Sequence, residues 1–342
     1  MSKKIPVTVV TGFLGSGKTT LLNRVLAPDR ADPDAARRIA LVVNEAGAVG
    51  IDHQRVRHIS DNVILLESGC ICCSVRGELV DALRELFLSA LHRRIPPFDR
   101  IMVETTGLAD PASVMHTLKY DGFLSDRYVY AGCVTVVDCQ HARQQLRDYP
   151  QAMQQAVLAD ALVLGKTDLS TPAERGQVVA ALREVNAQAI LFSQQDLPSL
   201  EVLLDGADVR ETVGHGMSGG LFSAAPAGAR ASASFAHGMV NVVTVGLRGP
   251  VSQGAFRRAM GRLHELPDVD LLRLKGLLRF QGDEGYSTVH GVHRQLYPLE
   301  PLAGLAEEAG RSALVFIVAG SGAAEFEDRA RRILSQEGLS LA

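Results

Sequence analysis

Short apolar runs alternate with stretches of helical periodicity over the first two hundred or so residues. A continuous apolar run of five to seven residues between helices is typical of a parallel strand that is buried on both faces. The predicted strands lie near residues 5–11, 39–44, 62–66, 100–104, 129–137, 161–165 and 189–193. This order predicts an α/β fold, a parallel sheet flanked by helices, which binds its ligands at the carboxyl ends of the strands.

The pattern changes after residue 205. Residues 206–237 are rich in Gly, Ala and Ser, which is the composition of a flexible linker. Strands are then predicted at 239–247, 271–280 and 313–320, and helices at 252–266 and 323–336. The chain is therefore predicted to consist of a P-loop NTPase domain (1–205), a linker (206–237) and a smaller α+β domain (238–342).

A phosphate-binding motif joins the first predicted strand to the first predicted helix. The sequence GFLGSGKT fits the P-loop pattern G-x-x-x-x-G-K-T. Small residues at such a turn let backbone N–H groups point at phosphate oxygens, and the helix N-terminus adds partial positive charge. The Lys18 ammonium is predicted to reach the β and γ phosphates, and the Thr19 hydroxyl to bind Mg²⁺. The predicted nucleotide-binding residues of this loop are Gly12, Gly15, Ser16, Gly17, Lys18, Thr19 and Thr20. A glycine-rich turn that binds nothing is the alternative.

The strand at 100–104 ends in the sequence ETTG. In GTPases a carboxylate at this strand end helps to hold Mg²⁺ through water, and a glycine N–H meets the γ phosphate. Glu104 and Gly107 occupy these positions, so the predicted catalytic residues are Lys18, Glu104 and Gly107. The alternative is that Glu104 only caps the strand. Residues 44–52, which follow another buried strand, are a candidate switch loop.

The segment VLGKTDL at 163–169 stands where GTPases carry Asn-Lys-x-Asp. A carboxylate at Asp168 can accept hydrogen bonds from the ring N–H and the exocyclic amine of guanine together, which adenine cannot offer. Lys166 is predicted to lie along the base, so GTP is the predicted nucleotide. Gly165 replaces the asparagine of the motif, and we expect weaker affinity and selectivity for that reason. A polar turn at a strand end is the alternative.

Three cysteines, Cys70, Cys72 and Cys73, lie close together between the candidate switch loop at 44–52 and the strand at 100–104. Thiolates favour Zn²⁺ and other soft or borderline ions, and three of them leave a fourth position for Glu45, a histidine, water or a receiving protein. Such an open site suits metal transfer. Inert buried thiols and a redox pair are the alternatives. Cys133 and Cys139 are assigned no metal role.

Composition limits the function classes. The net charge of −3 and the scattered basic residues do not support nucleic-acid binding. The sequence contains no apolar run long enough to span a membrane and no signal peptide, so a cytoplasmic protein with reduced cysteines is expected. His290 and His293 have a spacing that could chelate a metal, but two exposed strand histidines are the preferred interpretation.

Taken together, GFLGSGKTTLLNRVL, VVNEAGAVGID, GCICCSVRGEL, VETTGLADP and GKTDL resemble the CobW-type metal-chaperone GTPases, relatives of the urease and hydrogenase nickel-insertion GTPases. The resemblance implies GTP binding and slow hydrolysis with Mg²⁺, coupled to loading or release of Zn²⁺, Co²⁺ or a similar ion for a client metalloprotein. It implies Cys70, Cys72 and Cys73 as metal ligands and Glu45 as the switch carboxylate. A homodimer is left open.

The chain departs from the family pattern at Gly165, at Ala48, where many relatives carry a second carboxylate, and in having no histidine-rich linker. An activator of cobalamin or nitrile hydratase maturation, and a zinc-structural or redox protein without metal transfer, are the alternative functions.

Overall fold

The computed structural model describes residues 4–26, 38–44, 56–60, 63–68, 75–195, 197, 231–235, 238–293, 295–297, 299–302 and 312–342. The chain forms two compact units. The first comprises Met1–Ala142, Ala159–Arg175 and Ile190–Asp208, and the second Arg143–Leu158, Gly176–Ala189 and Val209–Ala342.

The first unit is built on an 8-stranded sheet. Its strands are β1 (Ile5–Thr11), β2 (Ile39–Asn44), β3 (Val56–Ser60), β4 (Val63–Ser68), β5 (Arg100–Glu104), β6 (Tyr128–Asp138), β7 (Ala161–Gly165) and β8 (Ile190–Ser193). They are arranged in the order β3-β4-β2-β5-β1-β6-β7-β8, and every neighbouring pair is parallel except β3 and β4. The predicted parallel α/β sheet is confirmed.

The helices between these strands are α1 (Lys18–Val25), α2 (Val75–Leu91), α3 (Pro111–Tyr120), α4 (Gly122–Arg127), α5 (Ala142–Asp148), α6 (Pro150–Leu158) and α7 (Pro172–Val185). Alternate residues of β1 point to opposite faces of the sheet. Val7 and Val9 pack in a core with residues of α2, α3 and α4, whereas Val10 packs in a second core with residues of α1. Both sheet faces are therefore buried, which explains the continuous apolar runs.

The register between strands places the ends of β1 and β5 together. Val10 is the partner of Glu104, and the Thr105 N–H donates to the carbonyl oxygen of Val10 at 2.9 Å. The Thr105 hydroxyl also donates to the Thr11 hydroxyl at 2.8 Å, and both side chains are buried. These bonds hold Thr105, the residue after Glu104, against the end of β1, where the P-loop begins.

The second unit contains a 7-stranded antiparallel sheet. Its strands are β9 (Ala231–Phe235), β10 (Gly238–Leu247), β11 (Asp270–Arg279), β12 (Tyr286–Val292), β13 (Gln295–Leu296), β14 (Glu300–Leu302) and β15 (Ser312–Ala319), in the order β13-β12-β11-β15-β10-β9 with β14 paired to β12. Helices α8 (Gln253–His264) and α9 (Phe326–Gln336) cover one face through a core that includes Phe256, Phe280, Phe316 and Phe326. The prediction of a smaller α+β domain is confirmed.

The boundaries of this unit differ from the predicted domain limits. Strand β9 lies within the range predicted as linker and pairs with β10. Residues 143–158 and 176–189, which fall in the predicted first domain, belong to the second unit. The Arg273 guanidinium of β11 donates to the Val157 carbonyl at 2.9 Å, and the Asn186 amide joins the two segments by donating to the Ala156 carbonyl at 2.9 Å. Hydrophobic periodicity carries no information about such contacts.

Within the described ranges, no helix has both the length and the apolar character needed to cross a bilayer.

Candidate functional site

The P-loop between β1 and α1 has the backbone conformations that only glycine adopts readily. Gly12, Gly15 and Gly17 have φ angles of 146°, 68° and 100°. A β-carbon on Gly12 would also collide with the carbonyl oxygen of Val136 in β6. The geometry of the loop therefore explains the three glycines of the motif by their backbone torsion angles, and Gly12 also by close packing.

Lys18 lies across the mouth of this loop. Its ammonium donates to the carbonyl oxygens of Gly12 at 2.9 Å and Phe13 at 3.4 Å. Burial lowers the pKa of Lys18, and the negative charge of Glu104 opposes that shift. A phosphate group in the loop would give the ammonium an anionic partner in place of these neutral carbonyls.

Thr19 and Glu104 supply the oxygen atoms expected of a Mg²⁺ site. The Thr19 hydroxyl donates to the Glu104 carboxylate at 3.3 Å, and Glu104 is buried at the end of β5. Hydroxyl and carboxylate oxygens are ligands that Mg²⁺ prefers, either directly or through its retained water. The residues therefore fit a nucleotide-bound Mg²⁺.

Gly107 lies against the P-loop. A β-carbon on Gly107 would stand 2.6 Å from the backbone nitrogen of Leu14 and 2.7 Å from its Cα. The chain that follows β5 thus approaches the tip of the P-loop at a distance that excludes any larger residue.

The residues of the base motif follow β7. Lys166 has a positive φ of 54° and precedes a single turn of 3₁₀ helix, Thr167–Leu169, that presents Asp168 at the surface. The Lys166 ammonium donates to a carboxylate oxygen of Asp138 at 2.7 Å. A β-carbon on Gly165 would lie 2.8 Å from the carbonyl oxygen of Ser16, so the approach of the P-loop explains why glycine occupies this position.

Asp138 is a site residue that the sequence analysis missed. It is buried at the end of β6, opposite Gly165 in register, and also accepts hydrogen bonds from the Gln140 N–H at 2.9 Å and pairs with His141 Nδ1 at 3.0 Å. Burial raises its pKa, but the hydrogen bonds from Lys166, His141 and Gln140 outweigh burial and hold the pKa below its usual value. The signal available was an aspartate directly after the apolar run of β6.

The sequence analysis also missed Gln194, which follows β8, because nothing in the local sequence indicates that it belongs to the site. Its side chain is buried next to Gly165.

The predicted nucleotide-binding residues therefore gather at one edge of the sheet. The ends of β1, β5, β6 and β7 bring together the P-loop, Glu104 and the base motif. Thr20 and Gly15 are exposed, and Ser16 is buried with a hydroxyl that has no hydrogen-bond partner among the described residues.

The predicted metal ligands Glu45, Cys70, Cys72 and Cys73 lie outside the described residues. Within the part of the chain that the structure describes, no three His, Cys, Asp or Glu side chains form a group that could hold a metal ion. Cys133 and Cys139 are buried and are not joined in a disulfide. Burial and then the charge of Asp138 raise the pKa of Cys139 to about 11, which disfavours the thiolate form that binds metals.

His290 and His293 are half-buried, and so differ from the exposed strand histidines of the preferred interpretation. His290 is in β12 opposite Lys275, whereas His293 follows the strand with a φ of 52° and contacts the Gln154 amide through Nε2 at 2.9 Å.

Two family models match the chain. The CobW/HypB/UreG nucleotide-binding domain matches residues 6–193, and the C-terminal domain of the cobalamin synthesis protein cobW matches residues 240–334.

Individual proteins show the same relationship. The zinc chaperone YjiA of Escherichia coli is 32% identical over 313 residues, which cover 92% of this chain and 93% of the relative. A zinc-regulated GTPase metalloprotein activator of Schizosaccharomyces pombe is 33% identical over 193 residues, 54% of this chain and 44% of the relative. The crystal structure of Zn(II)-bound YjiA GTPase superposes with a TM-score of 0.66 at 27% identity, covering 97% of this chain and 99% of that one. The chain belongs to the CobW/HypB/UreG family.

Proposed function

We propose that this protein is a GTP-hydrolysing metallochaperone, which binds Zn²⁺ or a similar ion such as Co²⁺ and delivers it to a client metalloprotein. The nucleotide part of the proposal is supported by the arrangement at the P-loop. Lys18 lies at the loop mouth, Thr19 and Glu104 offer oxygen ligands to Mg²⁺, and Asp168 lies on the turn after β7. The metal part is supported by the names of the relatives, a zinc chaperone and a zinc-regulated GTPase activator.

The proposed link between the nucleotide and the metal rests on one observation, the register of the neighbouring strands β4, β2 and β5. Asn44 at the end of β2 pairs with Ser68 at the end of β4, and Val43 of β2 pairs with Glu104 at the end of β5. Glu45 is the next residue after β2, and Cys70 comes two residues after β4. Parallel strands lie about 5 Å apart and each residue adds about 3.8 Å of chain, so a carboxylate and thiolates from these two strand ends are within reach of one ion.

The same register supports coupling. Strand β2 lies between the strand that leads to the cysteines and the strand that ends in Glu104. In our proposal GTP with Mg²⁺ orders the 44–52 loop and the segment around Gly107, and hydrolysis releases them, so that metal affinity depends on the nucleotide. Lys18 would neutralise phosphate charge, Thr19 and Glu104 would hold Mg²⁺, and the Gly107 N–H would donate to the γ phosphate. We expect slow intrinsic hydrolysis, on the order of 10⁻³ s⁻¹. We expect this chemistry to take place in the reducing cytoplasm, where the thiols stay available.

The experiment that tests the metal site compares two cysteine variants. Cys72→Ser should weaken Zn²⁺ binding at least tenfold while GTP binding stays unchanged, measured by competition with a chromophoric chelator and by nucleotide titration. Cys139→Ser is the matched control, because Cys139 is 2% exposed and its raised pKa keeps it a neutral thiol. An equal effect of both substitutions, or none from Cys72→Ser, would place the metal site elsewhere.

A further inference from the structure

Gln194 is fixed between the two nucleotide-binding elements of the first unit. Its backbone N–H donates to the Leu164 carbonyl of β7 at 2.9 Å, and its own carbonyl accepts from the guanidinium of Arg24 on α1. Arg24 also donates to the Gln195 carbonyl at 2.7 Å. The position of Gln194 is therefore tied both to the strand that carries the base motif and to the helix that follows the P-loop.

The Gln194 side chain lies where the asparagine of the motif is missing. It is 8% exposed, and its Oε1 is 3.1 Å from the point where a β-carbon on Gly165 would stand. The same oxygen is 3.7 Å from the corresponding point on Gly17. A carboxamide therefore lies beside Gly165, but it belongs to Gln194, directly after the neighbouring strand β8, and not to residue 165 itself.

The amide nitrogen of Gln194 is buried and has no hydrogen-bond partner in the described part of the chain. Two further buried atoms without a partner there come from the flanking motifs, the hydroxyl oxygens of Ser16 and Thr167. Buried donors without acceptors are rare and costly in native proteins. The P-loop and Gln194 meet at Gly165, where the Ser16 carbonyl oxygen and Gln194 Oε1 lie 2.8 and 3.1 Å from the same point. A polar ligand at this junction would supply hydrogen-bond partners to the residues that meet there.

An asparagine at position 165 would not fit this arrangement, because its β-carbon would stand 2.8 Å from the Ser16 carbonyl oxygen. The backbone cannot yield easily, since the Gly165 carbonyl accepts from the Cys139 N–H at 3.1 Å. Gly165 allows the close approach of the P-loop, and Gln194 places a side-chain amide beside the position where the motif has an asparagine.

We infer that Gln194 is a specificity-determining residue for the nucleotide base, which donates from Nε2 to the guanine acceptors O6 and N7, while Asp168 accepts from the ring N1–H and the exocyclic amine. This inference rests on the proposed GTPase function. Adenine presents an amino group where guanine presents O6, so a donor at this position favours guanine and opposes adenine. Gln194 thereby provides selectivity for guanine over adenine in a motif that has glycine in place of asparagine.

The test compares Gln194→Met with Gln195→Met by titrating the full-length protein with GDP and with ADP. Methionine preserves the length of the buried side chain and removes the donor. We expect Gln194→Met to weaken GDP binding about tenfold, the effect of losing one hydrogen bond in a buried site. ADP binding should not be weakened, because the donor that opposes the adenine amino group is removed. Gln195 is exposed and contacts Arg24 through its backbone, so its substitution should change neither affinity.

A second variant tests the inference independently in case Gln194→Met does not fold. Gln194→Glu keeps the size of the side chain but offers only acceptors, and it should lower the ratio of GDP to ADP affinity further than methionine does. The thermal midpoint without nucleotide shows whether each variant is folded.

The outcomes separate this inference from the proposed function. A wild-type protein that does not prefer GDP to ADP would refute guanine selectivity itself, and with it any role of Gln194 in base reading. A wild-type preference that persists in both Gln194 variants would overturn only the role of Gln194. Equal losses for GDP and ADP would also overturn it, because they would mean that Gln194 merely supports the P-loop.

Discussion

Lys18 shows at the scale of one residue how a phosphate site is prepared before phosphate binds. Its ammonium is held by two loop carbonyls, and burial lowers its pKa against the opposing effect of Glu104. Neutral carbonyls compensate a buried cation less well than phosphate oxygens do. The energetic advantage of binding a nucleotide is therefore concentrated at this side chain.

Replacing Lys18 with alanine should abolish measurable GTP and GDP binding, because the cation that faces the β and γ phosphates is lost. Titration with a fluorescent nucleotide measures the effect. Lys4→Ala, at an exposed position before β1, is the control and should bind normally. Hydrolysis that survives in Lys18→Ala would refute the assignment of the P-loop.

Asp138 provides a prediction with a defined pH dependence. Its pKa is lower in the folded protein than its usual value, so its contribution to stability is present at neutral pH and is lost as the pH falls through the folded-state pKa. Asp138→Asn should reduce the free energy of unfolding at pH 7 by roughly 1–3 kcal/mol, since the buried acceptor of Lys166 and His141 becomes neutral. Urea denaturation at pH 7, 5 and 4 measures the difference.

The difference between wild type and Asp138→Asn should persist at pH 5 and should begin to shrink near pH 4, close to the usual range of aspartate. A difference that is larger at pH 4 than at pH 5 would contradict the assignment of a lowered pKa to this carboxyl group.

Site residues were predictable from the sequence where a motif contains them. Lys18 and Thr19 belong to the P-loop motif between β1 and α1, Glu104 is the last residue of β5, and strand ends of a parallel sheet meet at one edge. Asp138 and Gln194 act through contacts with residues from other strands, Lys166 and Gly165 respectively. No local pattern records such pairings, because they depend on strand order and register.

Among the elements, the segment after β5 and the P-loop are packed backbone to backbone. Gly107→Ala should weaken binding of a GTP analogue about tenfold relative to GDP, because the added methyl group would push the γ-phosphate-sensing segment away from Leu14. Affinities for both nucleotides, measured by competition, give the ratio.

Gly176→Ala is the matched control, since its β-carbon would have no neighbour within 4 Å. Gly176 is exposed inside α7, and alanine there should stabilise the helix by about 0.5–1 kcal/mol without changing nucleotide binding. The interpretation of Gly107 fails if its substitution leaves the ratio of the two affinities at the wild-type value.

Secondary structure was predictable for elements that bury apolar side chains. Strands such as β1 and β7 are continuous apolar runs, and α8 and α9 have a clear apolar stripe. Strand β3, with the sequence VRHIS, and strand β9, with ASASF, contain too many polar or small residues to be recognised, and each pairs with only one neighbour at the edge of its sheet. Edge strands need fewer apolar residues, so they leave a weaker signal in the sequence.

At the scale of the molecule, the strand order of the first sheet places the proposed nucleotide site and the proposed metal site side by side. The P-loop follows β1, the proposed Mg²⁺ ligand Glu104 ends β5, Glu45 follows β2 and the cysteines follow β4. These four strands are consecutive neighbours in the order β4-β2-β5-β1. They are separated along the chain by helices and loops, so only the topology brings them side by side. The second unit, with its own antiparallel sheet, contributes no residue to this set.

The central claim is that nucleotide state sets metal affinity. The most direct test is the Zn²⁺ affinity of the full-length protein, measured by competition with a chromophoric chelator in three states: with Mg²⁺ and a non-hydrolysable GTP analogue, with Mg²⁺ and GDP, and without nucleotide. We predict affinities for the GTP-analogue and GDP states that differ at least tenfold, which is about 1.4 kcal/mol of coupling. Equal affinities in all three states would contradict the account.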